Sequence, residues 1–186
     1  MKILFFIVKV VAGFIPNKAL RHRLRGAFRS FANGWQARHY GKIMKGVDFV
    51  GPTNVNNKTT IGTCSTICGL TVTGDGPVEI GRNCEIAPDV LILTQNHDYD
   101  DGCMIPYGTE SHEKKVVIED FVWIGQRVTI LPGARICEGA IIQAGAVVHG
   151  TIPPMAIAGG NPAKAFASRD VARFNELKAQ RRYRGE

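Results

Sequence analysis

From Ile118 onward the chain repeats itself every six residues: Ile118, Ile124, Ile130, Ile136, Ile142 and Val148 head consecutive hexads without a gap. Four places after the heads come Val122, Val128, Ala134, Ala140 and Ala146, and then the larger Ile152. Ile and Val together account for 34 of 186 residues, so these heads fall in one fixed phase by chance roughly once in 10⁴ to 10⁵ trials. The period is too long for one helix face and too regular for ordinary alternating strands. It is the pattern of a parallel β-helix, three hexads to each triangular coil, with every head pointing inward onto its equivalents above and below. The chain is therefore expected to be all-β over most of its length.

The rhythm starts well before Ile118. Ile43, Phe49, Val55, Ile61 and Ile67 keep the same interval, followed four places later by the small or β-branched Val47, Thr53, Thr59, Ser65 and Thr71. The phase slips by one residue around Thr73-Gly74-Asp75-Gly76-Pro77, a turn-rich patch expected to bulge from a coil. It resumes at Ile80, Ile86 and Ile92 and breaks again after His97. No hexad can be laid through residues 98–117, an interruption longer than ordinary connections and of the kind that carries function. Residues 1–41 read as a helical lead-in, 42–165 as the β-helix with its inserted loop at 98–117, and 166–186 as a basic C-terminal helix that Ser168 could cap, with Val171, Phe174 and Leu177 on one side.

Charge and cysteine content narrow the function. The formal net charge of +7 suits an anionic ligand, nucleic acid or a membrane surface. No basic motif interleaved with aromatics accompanies it, which argues against nucleic acid. The five cysteines form no C-x-x-C pair; Cys84 falls on an inward hexad position, and the others read as small fillers of a reduced, cytoplasmic protein. Residues Ile3 to Ile15 are mostly apolar, but Lys9 interrupts a run already shorter than the roughly 20 residues a bilayer span needs. Lys18, Arg21, His22, Arg23 and Arg25 follow directly, so residues 1–25 are expected either to pack as a helix or to make peripheral contact with anionic lipid.

The hexads, the loop inserted after a His, Val122-Trp123-Ile124-Gly125, Ile152-Pro153-Pro154 and Gly160-Asn161-Pro162-Ala163-Lys164 together resemble the hexapeptide-repeat O-acetyltransferases, over about residues 43–166. The resemblance implies a left-handed parallel β-helix that assembles as a homotrimer with active sites between subunits. It also implies acetyl-CoA as co-substrate, a sugar or glycan acceptor under the long loop, and a place in surface polysaccharide or lipopolysaccharide biosynthesis. His97 stands where the family's catalytic His precedes the loop. Moving acetyl from a thioester to a sugar hydroxyl requires removing a proton from a poor nucleophile, and imidazole titrates near physiological pH.

The remaining site residues follow from the same resemblance. Trp123 is expected to point outward and line the acetyl-CoA tunnel. Gly125, Gln126, Ala144 and Gly145 line its pantetheine stretch, where lack of bulk lets a linear ligand approach backbone amides. Lys164, and more weakly Arg169, meet the phosphates of CoA. Asp75, Asn96 and His112 are the acceptor-side candidates. Ile67 stands where some of the sugar enzymes carry an acceptor-binding Asn, and His149-Gly150-Thr151 replaces a turn in which the family often has Lys.

Three other readings fit the residues less well. An antibiotic acetyltransferase of the same fold tends to have a longer, more aromatic loop, whereas Tyr99 and Tyr107 are the only aromatics between His97 and Val117. A non-catalytic assembly module needs neither the His at the loop junction nor the Gly-Asn-Pro-Ala-Lys terminus. A zinc enzyme needs several histidines converging across coils, and five scattered ones offer no such set, so no metal is expected.

Overall fold

A computed structural model of the protein describes residues 18–100 and 103–184. The apolar run Ile3–Ile15 lies outside them. From Lys42 onward the chain winds as a left-handed parallel β-helix whose short strands stack into three flat faces. The first face runs from Lys42–Ile43 up to Thr151–Ile152, with Ile43, Ile61, Ile80, Ile118, Ile136 and Ile152 in register. On the second face Phe49, Ile67, Ile86, Ile124, Ile142 and Ala158 stack likewise. Val72, Ile92, Ile130 and Val148 line up on the third.

Hexad heads from Phe49 to Ile142, the partly buried Val72 apart, are almost wholly buried, among them Ile61, Ile86, Ile92, Ile124 and Ile136 at 0% exposure. Removing such a side chain from water contributes about 1.5–3 kcal/mol each. The residues four places on are buried too, including Val122, Val128, Ala134, Ala140 and Ala146. Their small size leaves room for the chain to turn the edge of the prism, so the sequence period and the prism's cross-section are the same fact.

Three details differ from expectation. The phase slip is divided: Val72, not Thr73, enters the third-face stack after Ile67, and the following Thr73–Pro77 bulge more than makes up the lost residue before Ile80. The interruption is not a plain loop over 98–117. Gln95–His97 and Ser111–Glu113 pair antiparallel as a hairpin arm, and Val116 and Val117 already belong to the first face. Finally, Asn161-Pro162 turns the chain back on itself, so Ala163–Ser168 pairs antiparallel with Ala156–Gly160 and strand continues past 165. The helix Val171–Ala179 begins only after it. Asp170, not Ser168, caps it by accepting the Arg173 N–H at 2.9 Å, because Ser168 is still held in the strand.

Both ends of the prism are closed. The helices Lys18–Asn33 and Trp35–Tyr40 lie over the first coil. There Ser30 Oγ accepts the Phe49 N–H at 2.9 Å and Asn33 Nδ2 donates to the Val50 carbonyl at 2.7 Å. Gln36 donates to the Val55 carbonyl and accepts the Val55 N–H, both at 2.7 Å, as a neighbouring strand would. None of the described helices is long and apolar enough to cross a membrane.

Candidate active site

His97 sits on the hairpin arm, which leaves the prism where the third face turns into the first. Two features of the preceding sequence put it there. Thr94 is fully buried at the base of the arm; its hydroxyl donates to the Thr73 carbonyl at 2.8 Å and accepts the Gly76 N–H at 3.0 Å. Asn56, one coil below, donates to the carbonyls of Gly74 (2.8 Å) and Gly76 (2.9 Å). The Thr73–Pro77 bulge and the arm are thus tied together, and Asp75 comes beside the arm through its N–H, which donates to Gln95 Oε1 at 3.1 Å.

The His97 ring is exposed and stacks on Tyr107, with centroids 4.1 Å apart and planes 9° from parallel. Ser111 Oγ lies 3.4 Å from Nδ1. In an antiparallel pair, residues directly opposite share a face and neighbours point apart. His97 with Ser111 therefore occupies one side of the arm, and Asn96 with His112 the other. The Asp98 carboxylate approaches His112 Nε2 at 3.8 Å. Sequence reasoning missed Thr94, Tyr107 and Ser111, since no local pattern shows which residues a hairpin arm brings opposite one another.

Gly125, Gln126, Ala144 and Gly145 gather at a different edge, where the second face turns into the third. Gly125 N–H donates to the Ile142 carbonyl and Gly145 N–H to the Gln126 carbonyl, both at 2.8 Å, so the stretches stack directly. A Cβ on Gly125 would come within 2.5 Å of the Ala144 nitrogen, which requires Gly there. A Cβ on Gly145 would meet nothing within 4 Å, and Gln126 and Ala144 are exposed, so this edge is an open ledge of backbone. Lys164 extends it, as the cross-strand partner of Gly159 near the Asn161-Pro162 turn.

Arg169 is elsewhere. It follows the last strand, its N–H bonded to the Met155 carbonyl at 2.8 Å, on the edge between first and second faces. It lies five steps along the extended chain from Lys164, roughly 15 Å at about 3.3 Å per residue. Trp123 stands between these edges, outward from the second face and 51% exposed.

All five cysteines are free thiols, and burial pushes the Cys84 thiol up to about 12. Among the described residues no group of His, Cys, Asp and Glu is arranged to hold a metal ion.

The fold, a parallel β-helix of six-residue rungs with an inserted arm, is one that solved hexapeptide-repeat acetyltransferases share. Residues 115–150 match the family described as bacterial transferase hexapeptide (six repeats). The putative acetyltransferase YvoF of Bacillus subtilis is 29% identical over 165 residues, 89% of this chain and 76% of its own. The putative lipopolysaccharide biosynthesis O-acetyl transferase WbbJ of Escherichia coli is 39% identical over 94 residues, covering 47% of this chain and 48% of its own. Against several other curated relatives, too, the match spans about half of their length or less. Among solved structures, the hexapeptide-repeat acetyltransferase VCA0836 of Vibrio cholerae in complex with acetyl coenzyme A superposes with a TM-score of 0.62 at 24% identity, covering 88% of this chain and 84% of that one.

Proposed function

We propose that the protein is an acetyl-CoA-dependent O-acetyltransferase that modifies a sugar hydroxyl, with His97 as general base. The observation that carries this reading is an exposed imidazole, stacked on Tyr107 and contacted at Nδ1 by Ser111, on an arm inserted into the hexapeptide prism. His97 takes the proton of the acceptor hydroxyl as its oxygen attacks the thioester carbonyl. The carbon–sulfur bond then breaks, and the imidazolium returns a proton to the departing CoA sulfur. The open ledge of Gly125, Gln126, Ala144 and Gly145 suits the linear pantetheine arm, because its bare backbone can pair with the ligand's amides. Lys164 extends the ledge toward the phosphates. WbbJ, named for O-acetyl transfer in lipopolysaccharide biosynthesis, supports a surface glycan as acceptor.

One chain does not bring the base and the ledge together. His97 leaves the edge between third and first faces, whereas the ledge is the edge between second and third. The proposal therefore includes a homotrimer in which the arm of one protomer reaches the ledge of the next. Helix Lys18–Asn33 supports a working place at an anionic membrane surface: Leu20, Leu24 and Phe31 are exposed at helical spacing, Trp35 continues their line just beyond, and Arg29 is exposed beside them.

The test is thioester consumption by the full chain against a panel of nucleotide sugars, lipid-linked glycans and antibiotics, repeated with His97→Ala. Turnover should fall about 10²–10⁴-fold in the variant while acetyl-CoA affinity and particle mass stay unchanged. Undiminished turnover would remove the base, and a monomer with full activity would remove the shared site.

A further inference from the structure

Beneath the C-terminal helix lies a cleft of about 360 Å³, within the size range of small-molecule sites. It opens along the edge between first and second faces, where Asn83 and Phe121 turn the chain, and Trp123 and Tyr183 wall it. Neither the ledge of Gly125 and Gly145 nor the arm of His97 is on this edge.

Asn83 has both polar atoms of its amide buried and no hydrogen-bond partner for either. Burying an amide unpaired is costly, and native structures rarely do it without a ligand, ion or water to meet it. The corner does not require an Asn. Cys64 (φ 56°) and Phe121 (φ 60°) adopt the same left-handed backbone as Asn83 (φ 53°) at the equivalent place in adjacent coils.

Four cations line the cleft, Arg169, Lys178, Arg182 and Arg184, against the single carboxylate of Glu85. Glu85 pairs with Arg184 at 3.3 Å, and Lys178 pairs with Glu138. Arg169 and Arg182 have no carboxylate partner among the described residues. The Arg169 guanidinium lies 5.4 Å from the Phe174 ring centre, and burial pulls it below the usual arginine range. A half-buried cation without a counter-charge calls for an anion.

We propose that this cleft binds a nucleotide, its base against Phe121, Trp123 and Tyr183 with a polar edge on the Asn83 amide, and its phosphate at Arg169 and Arg182. Inorganic phosphate would satisfy the arginines but leave the amide and the rings bare. An apolar ring would do the reverse. A planar heterocycle carrying an anion satisfies both, and the donor and acceptor of an Asn side chain match the paired donor and acceptor on a base edge. A nucleotide-linked sugar carries this chemistry; the phosphates of CoA belong, on the reading proposed above, to Lys164 on another edge.

The experiment follows Trp123 fluorescence of the full chain in a Trp35→Phe background, which leaves Trp123 the sole tryptophan. UMP, AMP and inorganic phosphate are titrated without acetyl-CoA, so the outcome does not depend on acetyl transfer. UMP or AMP should bind saturably, and phosphate about tenfold more weakly or worse. Asn83→Gly, which keeps the left-handed corner, and Arg182→Gln, on the exposed last turn, should each weaken the nucleotide roughly tenfold. Nucleotide and CoA should bind simultaneously, and competition between them would overturn the assignment to a separate nucleotide. No saturable binding at millimolar nucleotide, phosphate binding as tightly as nucleotide, or both variants binding like the parent would each overturn the assignment.

Discussion

Thr94→Val tests how the site is held together. Valine copies the shape of threonine, so the cavity stays filled and only the hydroxyl is lost. The Thr73 carbonyl keeps its bond from the Thr94 N–H at 3.0 Å, but the buried Gly76 N–H loses its acceptor. An orphaned buried donor costs about 1–3 kcal/mol, and the lost hydroxyl bond about 0.5–1.5 kcal/mol more, so the variant should be less stable by roughly 2–4 kcal/mol. For a chain of this size that is a fall in Tm of about 4–16 °C, measured at fixed protein concentration because assembly contributes to stability. The bulge carrying Asp75 should also loosen from the arm carrying His97. The KM for acceptor should then rise while that for acetyl-CoA holds, since the ledge is on another edge. A change in stability below about 0.5 kcal/mol, or equal shifts in both KM values, would refute the reasoning.

Three further outcomes are expected. Lys164→Ala should raise the KM for acetyl-CoA more than it lowers kcat, whereas Arg169→Ala should leave that KM nearly unchanged; the reverse pattern in steady-state kinetics would put the phosphates on the wrong edge. Replacing Leu24 and Phe31 together by Ser should abolish sedimentation with anionic vesicles and spare the fold, and undiminished sedimentation would discard the membrane contact. The Cys84 thiol holds its proton until about pH 12 when folded but loses it near pH 9 when unfolded. Its contribution is therefore complete below about pH 9 and is lost as pH rises toward 12. Denaturant titrations should show stability falling more steeply from pH 9 upward in the parent than in Cys84→Ala, and parallel curves would contradict this.

The prism could be read from the chain because one requirement, an inward branched residue at each side of a triangle, leaves a mark every six residues. Ile61, Ile80, Ile118 and Ile136 are found in register as that mark implies. What repeats is legible; what is inserted is not. Nothing local to Thr73 told that Val72 would take the inward place, because either choice leaves an apolar or β-branched residue there. His97 could be placed at a loop junction, but Tyr107 meets its ring only through a chain reversal whose register depends on the fold. Lys164 and Arg169 look close in sequence, and both read as candidates for the phosphates of CoA. An extended strand is what sets them apart, and a run reading Ala-Lys-Ala-Phe-Ala-Ser does not declare itself a strand until Ala156–Gly160 lies beside it.

A stack of identical rungs has no inherent length. Each rung offers its successor the same unpaired amides, and a further chain could be added as readily as a further coil. The side chains of Ser30, Asn33 and Gln36 occupy those amides and carbonyls at one end, and the reversed strand Ala163–Ser168 turns the last rung into a hairpin at the other. These two stoppers make the molecule a finite particle, not a seed for fibres. Stripping either away, by truncation or proteolysis, would expose a template for open-ended growth.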